Sequence, residues 1–590
     1  MMIRPLLFSF LVCLSLVHVA RAAEVGARPY DVLHYEAEVR PDIEAESVSG
    51  VVDVKLRSLV RGLAEARLDA VGIVVEDVSE RGAPRQFVSD AGLLTVRFAR
   101  ALAAGEVRTL RIRYHATPTR GLRFFPDQFY AAYNTHHWLV CNFHPGDKAT
   151  LRLTLIVPAE LQVVGNGRLL GETRQPDGSK RSVWQQETPL PAYTFGFAAG
   201  RFQETTQQAG PLRLRFLADT YTPAQVARIF ADTPDMFAFF TRRAGVAYAG
   251  PVYTQALVAG GVMQELGGFT LLRADYGAEV LAEPRENWLV AHELAHQWWG
   301  NNVTCADWSH FWLNEGMATF MTAAYKEQRF GRAEYERELA LARRRYAQLR
   351  AAGQDRPLAF RQPVAEADAG GPLVYNKGAL VLHLLRYELG ERAFWAGLRR
   401  YTRAGFGRGV TSDDLRAAME QASGQRLTDF FDHWVYGNTP PTLNARHRAD
   451  GDKLFVELSQ DTDKPWAFTV QVAVETARGR VTRRVLLSDR RAELAFHLPA
   501  PLLSVRVDDG GHLPLAFAHE RPPAMLLYQL AHEPDTAGRI DALAALQSLC
   551  ANRADPATCE HFKTGVQERI AQDPSRLVRA LAERVQRDRQ

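Results

Sequence analysis

The sequence predicts a multidomain α+β protein: a β-rich N-terminal domain, a mostly helical domain, a β-sandwich and a short helical C-terminal segment. Three observations carry that prediction. At 590 residues the chain exceeds one hydrophobic core and calls for about three or four domains. From about Tyr30 to Phe202, short runs such as VVDVKLRSLV, TLRIRYHA and ATLRLTLIV alternate apolar and polar residues between Gly, Pro and Asp turns, which is strand patterning. From about Thr222 to Gly437 the apolar period lengthens to that of helices, and after Pro441 the alternation returns.

The elements follow in order. Thr222 and Pro223 open a helix running to about Arg243, a Thr cap followed by Pro at the first position. The stretch PVYTQALV reads as a strand among helices. ENWLVAHELAHQWWG, HFWLNEGMATFMTAAYKEQRF, RAEYERELALARRRYAQLR, KGALVLHLLRYEL and TSDDLRAAMEQAS carry helical periodicity. Asn438-Thr439-Pro440-Pro441 is a boundary. Beyond it, KLFVELSQ, FTVQVAVET, RVTRRVLLS, AELAFHL and LLSVRVDD suffice for a small sandwich. MLLYQLAHEPDTAGRIDALAALQSL reads as an α-hairpin. The division expected is residues 1–22, 23–202, 203–437, 438–516 and 517–590.

The first 22 residues form a class of their own. Arg4, an apolar run from Leu6 to Ala20 and then Ala-Arg-Ala have the order of a secretory signal peptide cut after Ala22. A membrane anchor is the alternative, but the run is short for a span and ends in small residues. The expectation is an exported chain, periplasmic or secreted, with no stable membrane insertion after signal cleavage. A net charge of +4 is small for this length and gives no reason to invoke nucleic acid. Of the five cysteines, Cys13 leaves with the signal. Cys550 and Cys559 bracket CANRADPATC and can pair in an oxidising compartment, or remain separate thiols. Cys141 and Cys305 are far apart, and no pair has zinc-finger spacing.

The chemistry concentrates in AHELAHQWWG. Residues four apart lie on one helix face, so His292 and His296 can present ring nitrogens to one ion. Neutral imidazole suits zinc, and three protein ligands leave a fourth position open. Glu293 projects beside that position, placed to accept a proton from water there. The bland alternative is a surface helix with a histidine pair. Glu315, nineteen positions after His296 on a second apolar-periodic helix, weighs against it as a third ligand. Trp298, Trp299, Trp308, Phe311 and Trp312 are expected to pack the junction as core. His136, His137 and His144 cluster without ligand spacing, and the NVT sequon at Asn302 directly follows the histidine helix.

The stretch HELAHQWWGNNVTCADWSHFWLNEGMATF resembles the signature of the M1 zinc metallopeptidases, the family of aminopeptidase N and leukotriene A4 hydrolase. YDVLHYEAEV, WLVCNFHPGDKATLRLTLIVP and the order of domains resemble the same family from about Tyr30 to Leu515. The resemblance implies a thermolysin-like helical catalytic domain and one zinc per chain. It implies that His292, His296 and Glu315 are the ligands and Glu293 the general base. VYNKGALVLHLLR resembles the family's Y-x-K-G segment and makes Tyr375 the counterpart of the tyrosine that steadies an oxyanion.

One loop departs. Relatives that trim peptides from the N-terminus carry G-x-M-E-N before the zinc helix, and its glutamate holds the substrate's α-amino group. Here Gly261, Val262 and Met263 fit, but Gln264 stands at the glutamate position and Glu265 follows. An amide offers an ammonium only a neutral bond. Glu265 supplies the charge if the loop is shifted, although neighbours in a strand point to opposite faces. Many relatives also continue into a large helical domain over the site. With about seventy residues after the sandwich, the cleft is either more open or closed by a second chain. The expected function is an exported zinc aminopeptidase acting on peptides. The alternatives are a hydrolase of the same fold without a strict free N-terminus (an endopeptidase, or epoxide hydrolase-like) and a non-catalytic scaffold.

Overall fold

The computed structural model describes residues 28–552 and 555–588. The expected signal peptide, with Cys13, lies outside the described residues. Strand Tyr30–Asp42 sits inside an eight-stranded sheet, antiparallel to Ser47–Ser58 and parallel to Lys148–Pro158. A register shift between Val32 and His34 explains why Tyr30 and Val32 face inward at even positions, and Tyr35, Ala37 and Val39 at odd ones. A three-stranded and a four-stranded sheet complete this β-rich region. The last of these pairs Gln128–Ala131 with Phe197–Gly200 and so brings the segment after Ala131 towards the helical region.

The helical region is built on a five-stranded sheet. Leu212–Ala218, Val252–Val258 and Phe269–Arg273 run parallel, and Met263–Gln264 adds antiparallel to Phe269–Arg273 at the edge. Sequence patterning detected only Val252–Val258 here. The outer strand Gln203–Ala209 is almost wholly exposed and polar, so no hydrophobic alternation marks it. One face of this sheet joins the N-terminal core through Leu217, Ala256 and Leu271. The other packs against helices through Leu214, Phe216, Tyr253 and Leu257.

The helix expected over Thr222–Arg243 is two helices, Pro223–Ile229 and Thr233–Ala244. Pro234, in the first turn of the second, cannot donate to a preceding turn, so the helix restarts there. Thr222 and Gln225 form the expected cap as a reciprocal capping box. Helices Trp288–Ala295, Trp312–Phe330, Arg332–Ala351 and Pro372–Gly405 follow, the last broken at Gly390. The sandwich has a four-stranded and a three-stranded sheet.

The C-terminal segment extends beyond the expected hairpin to four helices, Pro523–His532, Thr536–Ala551, Pro556–Gln572 and Arg576–Arg587. Cys550 and Cys559 are disulfide-bonded between its second and third helices. Cys141 and Cys305 are buried free thiols. No described helix is long and apolar enough to cross a membrane.

Candidate metal centre and its cavity

His292 and His296 lie one turn apart at the end of helix Trp288–Ala295, and both are buried. Their Nε2 atoms are 3.1 Å apart. Glu315 Oε2, from the first turn of the next long helix, lies 3.5 Å from His292 Nε2 and 3.4 Å from His296 Nε2. Three ligands at tetrahedral angles around a zinc with ~2.0–2.1 Å bonds stand about 3.3 Å from one another. The observed triangle has that size. The remaining nitrogen of His296, Nδ1, is 3.0 Å from the Trp299 carbonyl oxygen, to which it donates, leaving Nε2 free as a ligand.

Electrostatics favour a cation here. Glu265, Glu293 and Glu315 are all buried around His296. Burial lifts the Glu293 carboxyl well above its ordinary range; His296 opposes this, and Glu265 and Glu315 reinforce it. Burial likewise pushes Glu265 up to about 7. For His296, burial pulls the imidazolium down, but Glu315 and Glu265 outweigh it and raise it to about 10. Glu293 Oε2 is buried and has no protein hydrogen-bond partner, as a proton acceptor facing a water site requires. The donor set and the orphaned oxygen fit one zinc with an open position.

Tyr375 reaches the same place from helix Pro372–Gly405. Its ring stacks on His292, centroids 5.9 Å apart at 20°. The charge on Glu315 is the largest cause that raises its hydroxyl pKa, so the phenol keeps its proton. The approach depends on two glycines. A Cβ on Gly316 would stand 2.9 Å from Gly378 Cα, so the Glu315 and Tyr375 helices cross backbone to backbone.

The departing loop is resolved by its partners. Gln264 is 1% exposed. Its Oε1 accepts from Tyr133 N at 2.5 Å and its Nε2 donates to the Tyr193 carbonyl at 3.1 Å. Both ends of the amide are therefore used on the N-terminal domain. Glu265 turns the other way: its carboxylate lies within 4.8 Å of ligand atoms of Glu293 and His296. Gln297, Asn301 and the Tyr193 hydroxyl tie loop and histidine helix together. Gln297 Nε2 donates to Leu266 O at 3.0 Å, Asn301 Nδ2 to Glu265 O at 3.0 Å, and Tyr193 OH to Gly300 O at 2.9 Å.

A cavity of about 1030 Å³ opens on the centre. Met263, Gln264 and Glu265 line it; Gly261 and Val262 do not, contrary to expectation. Val262 is buried in the N-terminal core and Gly261 is exposed. Trp298, Trp299 and Trp312 are core, but Trp308 and Phe311, also expected as core, line the cavity with Phe143 and Tyr193. Periodicity cannot separate these cases, because a cavity wall is as apolar as a core. The segment YNTHHWLVCNFHPG borders the cavity, and within it sequence does not single out Tyr133. It sits at φ 62°, its hydroxyl donates to Met263 O, and it lines the cavity. A strained non-glycine beside a candidate site is the available signal, and sequence does not show it. His136 packs on Phe143, centroids 4.0 Å apart; none of His136, His137 and His144 joins a ligand group among the described residues. Asn302, of the sequon, is buried.

Comparison with known proteins agrees with this geometry. Residues 270–434 match the Peptidase family M1 domain. Aminopeptidase M1-B of Oryza sativa subsp. japonica is 26% identical over 464 residues, 72% of this chain and 52% of that protein. The probable aminopeptidase 2 of Sulfurisphaera tokodaii is 26% identical over 76% of this chain and 59% of its own length. The chain thus spans about half the length of the plant relative it matches, 52%. The M1 zinc metallopeptidase of Deinococcus radiodurans superposes with a TM-score of 0.62 at 28% identity, over 71% of this chain and 96% of that one. Legionella pneumophila aminopeptidase A shares the fold, with a TM-score of 0.79 at 16% identity over 93% of this chain and 67% of that one. The span 270–434, which is similar to the M1 peptidase domain, contains His292, Glu293, His296, Glu315 and Tyr375.

Proposed function

We propose that the protein is an exported zinc aminopeptidase that removes N-terminal residues from peptides. The observation that carries the reading is Glu265, a buried carboxylate beside Glu293 and His296 on the cavity wall. An anion at that position pairs with a substrate α-ammonium, and the pair is strong because it is desolvated. Gln264 is spent on Tyr133 and Tyr193, so the charge is displaced by one residue rather than lost.

His292, His296 and Glu315 would hold the zinc, which when bound polarises a carbonyl and acidifies water. Glu293 accepts the proton of the attacking water at its unpartnered Oε2 and returns it to the departing amine. The Tyr375 hydroxyl, kept protonated by its acidic surroundings, donates to the carbonyl oxygen as negative charge develops there. Glu265 orients the chain end so that the first peptide bond faces Glu293. Support for export comes from the signal-like first 22 residues and from the Cys550–Cys559 disulfide, which belongs to an oxidising compartment.

The test is a peptide library digested beside the same library with acetylated amino termini, read by mass spectrometry, with Glu293→Gln as control. Single residues released only from free peptides are expected. Equal cutting of both libraries, or internal cuts, would replace this reading with a zinc hydrolase that needs no free N-terminus.

A further inference from the structure

The final described helix, Arg576–Arg587, begins with a guanidinium that reaches the active-site cavity's wall. Arg576 Nε and Nη2 donate to both oxygens of Glu334, at 2.9 and 2.7 Å. Its Nη1 donates to Glu286 Oε1 at 2.9 Å and lies 3.6 Å from Glu283 Oε2. Its side chain is 12% exposed, so these contacts are largely shielded from water. The arginine is itself held in place. Ser575 N donates to Asp573 Oδ1 at 2.9 Å, and Asp573 is clamped by Arg539 at 2.9 and 3.1 Å.

What Arg576 grips leads straight to the metal centre. Glu286 Oε1 also receives Arg337 Nη2 at 2.6 Å, and Glu286, Arg337 and Glu338 line the cavity. The Glu286 carbonyl accepts from Tyr276 OH at 2.8 Å. That same hydroxyl oxygen accepts from Leu289 N at 3.2 Å and Val290 N at 3.4 Å, two of the free amides in the first turn of the histidine helix. The turn Glu283–Asn287 is held by Tyr276 inside and Arg576 outside, and Asn287 Nδ2 at its end donates to Asp232 Oδ2 at 2.7 Å. The histidine helix is only eight residues long, with no side-chain cap of its own, so its start leans on these contacts of the preceding turn.

We propose that Arg576 is a positioning residue for the active site. By bridging Glu334 and Glu286, it fixes the start of the histidine helix and the charged cavity wall, so that the C-terminal helices complete the site within one chain. The kinetic part rests on the peptidase reading; the structural part does not. A substrate residue lying along the Glu286–Arg337 wall meets a surface that Arg576 braces together with Arg337, which makes longer peptides the sensitive class.

The test uses the full chain with Arg576→Ala, Arg576→Lys and the exposed control Arg584→Ala. In hydrogen exchange, Arg576→Ala is expected to speed exchange of Glu283–Val290 about tenfold, with Leu543–Leu549 unchanged and Arg584→Ala inert. In kinetics, KM for a pentapeptide is expected to rise about fivefold, more than kcat falls, with Arg576→Lys restoring part of the loss because it keeps the charge but not the fork. Unchanged exchange at Glu283–Val290 overturns the proposal. So does exchange rising equally through the C-terminal helices with a parallel fall in kcat, which marks a folding defect alone. If the unmodified protein cuts no peptide, the peptidase reading fails, and the exchange result still decides the role of Arg576.

Discussion

Gly316 and Gly378 lie against each other so closely that a Cβ on Gly316 would stand 2.9 Å from Gly378 Cα and 3.1 Å from the Val374 carbonyl oxygen. One glycine follows Glu315 of the candidate metal centre, and the other lies three residues after Tyr375. Gly316→Ala is expected to force the two helices apart and cost about 1–3 kcal/mol, the usual range for overpacking. Because the shift moves Glu315 off the histidine pair, zinc content measured by elemental analysis should fall as well. Full zinc occupancy with unchanged thermal stability would show that the crossing has slack.

Tyr375→Phe removes a hydroxyl and leaves the ring that stacks on His292. The expected result is a fall in kcat of about 10²–10³ with KM changed little, since the hydrogen bond forms only as charge develops. Steady-state kinetics on a short peptide check this. An equal rise in KM at constant kcat would assign the hydroxyl to ground-state binding instead.

Gln264→Glu, which restores the relatives' residue type, should harm the protein. The variant loses the Nε2 donor to the Tyr193 carbonyl and sets a carboxylate against that oxygen, at a cost of about 1–3 kcal/mol for the unsatisfied buried group. Glu265→Gln should instead fold normally and lose the preference for free over acetylated peptides. Thermal unfolding and the two-library digestion separate these outcomes. Restored or improved activity in Gln264→Glu would relocate the amine anchor.

Chelation should both abolish hydrolysis and lower the melting temperature. With zinc at a hundredfold its dissociation constant, linkage contributes about 2.7 kcal/mol to stability. Without a cation, Glu265, Glu293 and Glu315 remain buried together around His296 with less compensating charge. Calorimetry before and after chelation, followed by zinc add-back, measures the effect. Identical melting and activity in both states would remove the metal from the mechanism.

Much of the centre is legible in sequence because its first part is local. The spacing of His292 and His296 maps onto one face of one helix, and helix geometry alone sets their Nε2 atoms together. The alternation of strand Tyr30–Asp42 is equally local, and only its bulge between Val32 and His34 escapes the pattern. Gln203–Ala209 escapes wholly, because an exposed edge strand buries no face.

What sequence determined by itself was the chemistry on offer: two imidazoles one turn apart, an adjoining acid, a distant acid and a resemblance that singled out Tyr375. Only the tertiary structure decided how those groups act together. It closed Glu315 to 3.4 Å from His296 and consumed Gln264 on Tyr133 and Tyr193, leaving Glu265 facing the metal centre. It also put Trp308 on a cavity wall rather than in a core, and brought Arg576 across 290 positions to Glu286. The physical reason is the range of the interactions. Helix phase is set by neighbours a turn away, whereas hydrogen-bond partners and cavity walls are set by which distant backbones meet, and one sequence read alone carries no record of those meetings.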